Sequence, residues 1–130
     1  MYQIQQVDYG YRLKFGDFIQ PSEMKSWMNE SIEALTKAPD NFGVFIDLQK
    51  IKPLPKDSQD YLQQGQKLFK QKGMKRSVVI LDKPITKMQF KRIAKETGIY
   101  EWERYIDAAT DKDWERKGID WITKGIDPDK

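Results

Sequence analysis

The sequence predicts a single α/β domain in which helices pack on a mixed, mostly parallel five-stranded sheet, in the order β-β-α-β-α-β-α-β-α. Three observations carry this. Residues 43–81, GVFIDLQKIKPLPKDSQDYLQQGQKLFKQKGMKRSVVIL, read as strand, loop, helix, glycine stop and strand, which is one βαβ unit. Residues 2–15 alternate in polarity around Asp8-Tyr9-Gly10, the pattern of an antiparallel hairpin. Each strand after the hairpin is followed by a helical pattern, so the last three strands should be parallel neighbours with right-handed crossovers.

The elements follow in order. Residues 2–7 and 11–15 form the first two strands, with Gly10 at the positive-φ position of the turn. Pro21-Ser22 opens the first helix, in which Met24, Trp27, Met28, Ser31, Ile32 and Leu35 share one stripe, and Ala38-Pro39 stops it. Strands 44–48 and 77–81 are runs of branched residues suited to a sheet covered on both faces. Between them Asp57-Ser58 starts a helix whose Tyr61, Leu62, Gly65, Leu68 and Phe69 recur at helical spacing, and Gly73 ends it. Thr86-Lys87-Met88-Gln89 reads as a capping box with Ile85 and Phe90 as its hydrophobic staple. Phe90, Ile93 and Ala94 then face inward, Lys87, Lys91 and Lys95 line the opposite side, and Gly98 closes the helix. Residues 104–107 form a short last strand. Thr110-Asp111-Lys112-Asp113 caps a final helix whose Trp114, Gly118, Trp121 and Ile122 share a face, ending at Gly125. Residues 1–125 make up the domain, and 126–130, IDPDK, a frayed tail.

Composition removes several kinds of chemistry. A chain of 130 residues builds one core. It has no cysteine, hence no disulfide, thiolate nucleophile, zinc-thiolate site or iron–sulfur cluster, and no histidine, hence no imidazole base, Ser-His triad or His-ligated metal. No stretch approaches the roughly 18 consecutive apolar residues of a membrane span, and the N-terminus lacks a basic start followed by an apolar run. These features predict a soluble, cytoplasmic protein.

The net charge of +3 conceals an uneven distribution: residues 67–95 carry ten basic residues against Asp82 alone, while the segments on either side are acidic. Such a block can meet an anionic membrane, an acidic protein or nucleic acid, the last being the least favoured; an ordinary solvated surface is the favoured explanation. Asp47, Asp82 and Asp107 lie at or near the C-terminal ends of predicted parallel strands, the edge at which α/β domains bind ligands. They are weak candidates for a Mg²⁺ site, and no metal or other cofactor is assigned. Tyr100, Trp102, Tyr105, Trp114 and Trp121 crowd the last third, where they should mostly fill core, with Trp27 and Met28 facing them from the first helix. Tyr100 and Trp102 follow the basic helix directly and, with Lys87, Lys91, Arg92 and Lys95, are candidate contacts for a ligand or a membrane surface.

In its element order, in FGVFIDLQKI, in Asp57-Ser58 at a helix start, in GMKRSVVIL and in the ending ERYIDA…WERKGIDWI, the chain resembles the STAS family, and within it the SpoIIAA-like proteins related to anti-sigma-factor antagonists. The resemblance implies a non-enzymatic binding domain acting through protein partners or a small apolar ligand. It also implies a phosphorylation candidate at Ser58, since the antagonists are phosphorylated on a serine that follows an aspartate at the start of the second helix. The chain departs from that pattern with Gln59 and Asp60 where the family has a small residue and glycine, and with Pro53 and Pro55 on the approach. Asp57 or Ser58 can equally be a helix cap worth about 1 kcal/mol, whereas a phosphate there would meet exposed amides at the positive end of the helix. Some SpoIIAA-like proteins are also compared with CRAL-TRIO lipid-transfer domains. The alternative function is therefore a lipid or hydrophobic-ligand carrier that docks on anionic membranes through its basic helix, and the third a metal-dependent phosphoryl-transfer enzyme using the three aspartates.

Overall fold

The computed structural model describes all 130 residues. Strands β1 (Tyr2–Val7) and β2 (Gly10–Asp17) form the antiparallel hairpin. They are followed by α1 (Pro21–Ala34), a 3₁₀ turn (Leu35–Lys37), β3 (Phe42–Ile51), α2 (Lys56–Gln71), β4 (Met74–Leu81), α3 (Pro84–Thr97), a 3₁₀ turn (Tyr100–Trp102), β5 (Glu103–Asp107) and α4 (Trp114–Lys124). The five strands lie side by side in sequence order, and β2 through β5 are all parallel, so the parallel part begins one strand earlier than the chain pattern indicates.

Strands laid down in sequence order with crossovers of one hand place every crossover helix on the same face. Accordingly α1, α2 and α3 cover one face, over a core that includes Leu13, Phe15, Trp27, Val44, Phe69, Val79 and Phe90. Only α4, which follows the last strand, reaches the other face, packing Trp121 and Ile122 on Phe45, Val78, Ile80 and Ile106. Strand alternation supplies both faces: Val78 and Ile80 point to α4 while Val79 and Leu81 point to the three helices. In β3 the register against β2 slips by one residue between Asp47 and Lys50. That bulge lets Leu48 and Ile51, of opposite parity, reach the same core.

Close packing requires glycine at several positions, among them two on helix α2 and its exit. At Gly65 a Cβ would sit 2.1 Å from the Trp27 ring, so α2 can lie against α1 only without a side chain there. Gly73, at φ 115°, turns the chain out of α2 beside the Asp40 carbonyl, which a Cβ would meet at 2.3 Å.

Several local expectations are corrected. Helix α1 starts at Pro21 as its sequence indicates, with Gln20 as N-cap and the Glu23 carboxylate accepting from the Gln20 amide at 3.2 Å, but Ile32 lies exposed rather than in the buried stripe. Helix α3 starts at Pro84, so Thr86 is inside the first turn, where its hydroxyl donates to the Lys83 carbonyl and Ile85 points to solvent; there is no capping box. Proline at the first helical position is what moves the start upstream. The aromatic residues do not form one cluster: Trp27 packs with Phe15 and Phe69 under the three helices, Trp114 and Trp121 lie on the opposite face, and Tyr100 and Tyr105 meet each other at the β5 edge. Segment 126–130, expected to fray, is tied at Asp127, which receives the Arg104 guanidinium on both carboxylate oxygens at 3.1 Å.

Candidate functional site

The C-terminal ends of the parallel strands gather the starts of α1, α2 and α3 into one edge, and side chains pin its loops together. The Lys52 amide donates to the Asp17 carbonyl at 3.0 Å, joining the ends of β2 and β3, and Asp17 takes a positive φ of 59° there. The Leu54 amide donates to Gln89 Oε1 at 3.0 Å, and the Leu54 carbonyl receives Gln59 Nε2 at 2.8 Å. Gln89 therefore clamps the loop before α2 onto α3.

Ser58 belongs to this framework. It occupies the third residue of α2, fully buried, and its hydroxyl donates to the Ile19 carbonyl at 3.2 Å. The accessible serine expected at this turn is thus a buried bolt between α2 and the β2–α1 linker. Pro55 holds the N-cap position, and neither Asp57 nor Ser58 caps the helix. A kinase cannot reach the hydroxyl in this conformation. Beside it, Pro21, Ser22, Asp57, Asp60, Tyr61 and Gln64 line a surface depression of about 330 Å³.

The three aspartates do not converge. Asp47 Oδ1 accepts from the Gln49 amide and side chain, Asp82 pairs with its neighbour Lys83, and Asp107 closes its own turn by accepting from the Ala109 amide. No group of three or more possible metal-ligating acidic side chains exists in the fold, so the phosphoryl-transfer reading loses its geometric basis.

The basic helix divides between neighbours. Lys91 Nζ stands 5.5 Å from the Tyr105 ring centre and Lys95 Nζ 4.8 Å from that of Tyr100, so both ammonium groups lie over aromatic faces. Arg92 turns the other way, to the Gln59 side chain and to Glu96. Lys87 is half-buried and forms no ion pair. Tyr100 and Trp102 are exposed, but they precede β5 and so sit at the pole opposite the start of α3. The expected contact surface of Lys87, Lys91, Arg92, Lys95, Tyr100 and Trp102 is therefore a strip running from pole to pole.

Two features escaped sequence reasoning. Glu103 is fully buried under the three-helix face, its carboxylate receiving the Ser77 hydroxyl and the Tyr105 hydroxyl, each at 2.6 Å; burial pushes its pKa up to about 7 against the pull of those two donors. Strand alternation, which puts residues 103 and 105 on one face, was the signal available. Glu103 borders an apolar cavity of about 30 Å³ lined by Leu13, Trp27, Leu62 and Phe90, space for about two waters at most. The second feature is a set of exposed apolar residues at the strand-end edge: Phe18 after β2, and Ile85 and Met88 on the first turns of α3, Met88 being 71% exposed.

The fold is that of SpoIIAA-like proteins, a single α/β domain. It is similar over 94% of this chain and 92% of the other to an uncharacterized protein from the DUF3478 family with a SpoIIAA-like fold from Shewanella loihica PV-4, at a TM-score of 0.63 and 16% identity. It is also similar to the anti-sigma factor antagonist SpoIIAA in its unphosphorylated form, over 89% of this chain and 96% of that one, at a TM-score of 0.56 and 9% identity. No family model and no curated protein matches the sequence.

Proposed function

We propose that this chain is a non-catalytic protein-interaction domain of STAS type, engaging a protein partner through the strand-end edge at the starts of α1, α2 and α3. The observation that carries this reading is the exposure of Phe18, Ile85 and Met88 on that edge, whose loops are otherwise pinned by Gln89, Gln59 and Ser58. Large apolar side chains held out on a rigid surface are what a docking partner buries. The shared fold supports the class, since one of the similar structures is named as an antagonist of another protein. A ligand carrier would have to open the three-helix face, whose cavity of about 30 Å³ admits no lipid chain. No helix is long and apolar enough to cross a membrane.

A photoreactive residue at position 88, compared with one at Lys72 on the opposite pole, tests the reading in the native host. Defined protein adducts should form at 88 and not at 72, and Phe18→Glu or Ile85→Glu should abolish them while the thermal midpoint is retained. Equal labelling at both positions, or adducts indifferent to these substitutions, would rule the edge out. Intact-mass measurement of the same material reports on Ser58, which should carry no phosphate while it bonds to Ile19; a phosphate there would require the β2–α1 linker to detach from α2.

A further inference from the structure

The two edges of the sheet are finished differently. Edge strand β5 is guarded: it has five residues, Arg104 Nη1 donates to the carbonyls of Glu101 and Glu103 at 2.9 and 3.1 Å, and the same guanidinium holds the C-terminal segment through Asp127. Edge strand β1, YQIQQV, has none of these devices. It contains no charged residue in a chain that is 33% charged, no proline, and no bulge in its register from Tyr2↔Phe15 to Val7↔Gly10. Charges, prolines and bulges are how natural sheets prevent edge-to-edge pairing.

The free groups on β1 can be named. The Gly16 amide donates to the Met1 carbonyl at 2.9 Å and the Met1 amino group reaches the Gly16 carbonyl at 3.5 Å, so these two residues form a hydrogen-bonded pair. Such pairs alternate along an antiparallel ladder. Gln3, Gln5 and Val7 consequently bond inward to β2, leaving the amides and carbonyls of Tyr2, Ile4 and Gln6 directed outward.

We propose that β1 pairs antiparallel with β1 of a second copy of this chain, joining two sheets into one across a two-fold axis at Ile4. Only this register matches every outward group: Ile4 faces Ile4 of the second copy, and Tyr2 faces Gln6 in both directions. The half-buried Ile4 side chains then cover each other on the helix side. On the open face the exposed Gln3 lies opposite Gln5 of the second copy, where uncharged amides meet without repulsion. An isologous contact of this kind closes on itself and stops at the dimer, because β5 remains guarded. The pairing is separate from the strand-end edge proposed above for a protein partner.

Sedimentation velocity across a concentration series, with amide exchange read residue by residue, tests it. The expected result is a reversible monomer–dimer equilibrium in which the Tyr2, Ile4 and Gln6 amides gain protection as the dimer forms, while Gln3, Gln5 and Val7 are protected throughout. The double variant Gln3→Lys/Gln5→Lys sets lysine opposite lysine and should weaken the dimer about tenfold or more. Mixing it with Gln3→Glu/Gln5→Glu should restore association as a heterodimer, which a misfolded variant could not do. Any one of three results overturns the proposal: a monomer at every concentration with freely exchanging Tyr2, Ile4 and Gln6 amides, a dimer indifferent to the lysine pair, or no association between the oppositely charged variants.

Discussion

Under α1, α2 and α3 one face of the sheet holds a continuous cluster of 19 buried residues, whereas the face under α4 holds six. The thick face is closed by apolar packing, with Trp27 stacked on Phe69 and edge-on to Phe15. The thin face is closed by guanidinium groups: Arg12 lies 4.3 Å from the Phe45 ring and pairs with Glu115, while Arg76 and Arg104 both stand over Trp121. A planar cation with a long apolar stem can cover an aromatic ring and still meet water, so it does part of the work of a missing helix. The one buried charge-bearing group of the thick face, Glu103, has no cation bonded to it and keeps its place through two hydroxyl donors. The comparison teaches that stability rests on the thick face, and that the thin face is an adjustable surface finished by arginines.

The sharpest break would be Trp27→Ala, which empties the centre of the thick face and should cost about 3–5 kcal/mol in urea unfolding. Trp121→Ala on the thin face should cost less, because its ring is partly covered by guanidinium stems that can settle into the gap. Equal losses would contradict the comparison.

Glu103 gives the next largest effect, and it has a sign. Its folded pKa of about 7 lies above the ordinary 4.5, so the folded state holds a proton that the unfolded chain has released. Stability is full below pH 4.5, falls as pH rises towards 7, and changes no further from this group above that, by an amount on the order of 3 kcal/mol. Glu103→Gln should flatten that slope, which unfolding midpoints at pH 5 and pH 8 would reveal.

Gly118→Ala probes the contact of α4 with the sheet, since a Cβ would meet the Phe45 ring at 2.7 Å. Overpacking at this level costs about 1–3 kcal/mol. If α4 shifts readily on its thin face, the cost falls at the lower end, readable as a fall in the thermal midpoint. The smallest effect belongs to Arg104→Ala, about 1 kcal/mol from a partly exposed ion pair and a stacked cation. Its diagnostic is hydrogen exchange: segment 126–130 should lose protection while the thick face keeps its own.

The order of elements was legible in the sequence because strand alternation, helical spacing and glycine stops are set by residues within a turn or two of one another. Residues 44–48 and 77–81 mark β3 and β4, and Gly73, Gly98 and Gly125 close the three later helices as expected. Helix starts were less legible, since Pro84 overrides the Thr86 pattern by its fixed φ. The lysines of α3 were readable as one spacing, but not the tyrosine faces under two of them, nor the turn of Arg92 towards Gln59. What only the tertiary structure decided depends on groups distant in the chain. Ser58 is buried because a carbonyl 39 residues earlier receives it, and Glu103 is tolerated because Ser77, 26 residues earlier, lies beside it across the sheet. Local pattern determines which segments become strands and helices; burial and charge state depend on what the folded sheet brings alongside them.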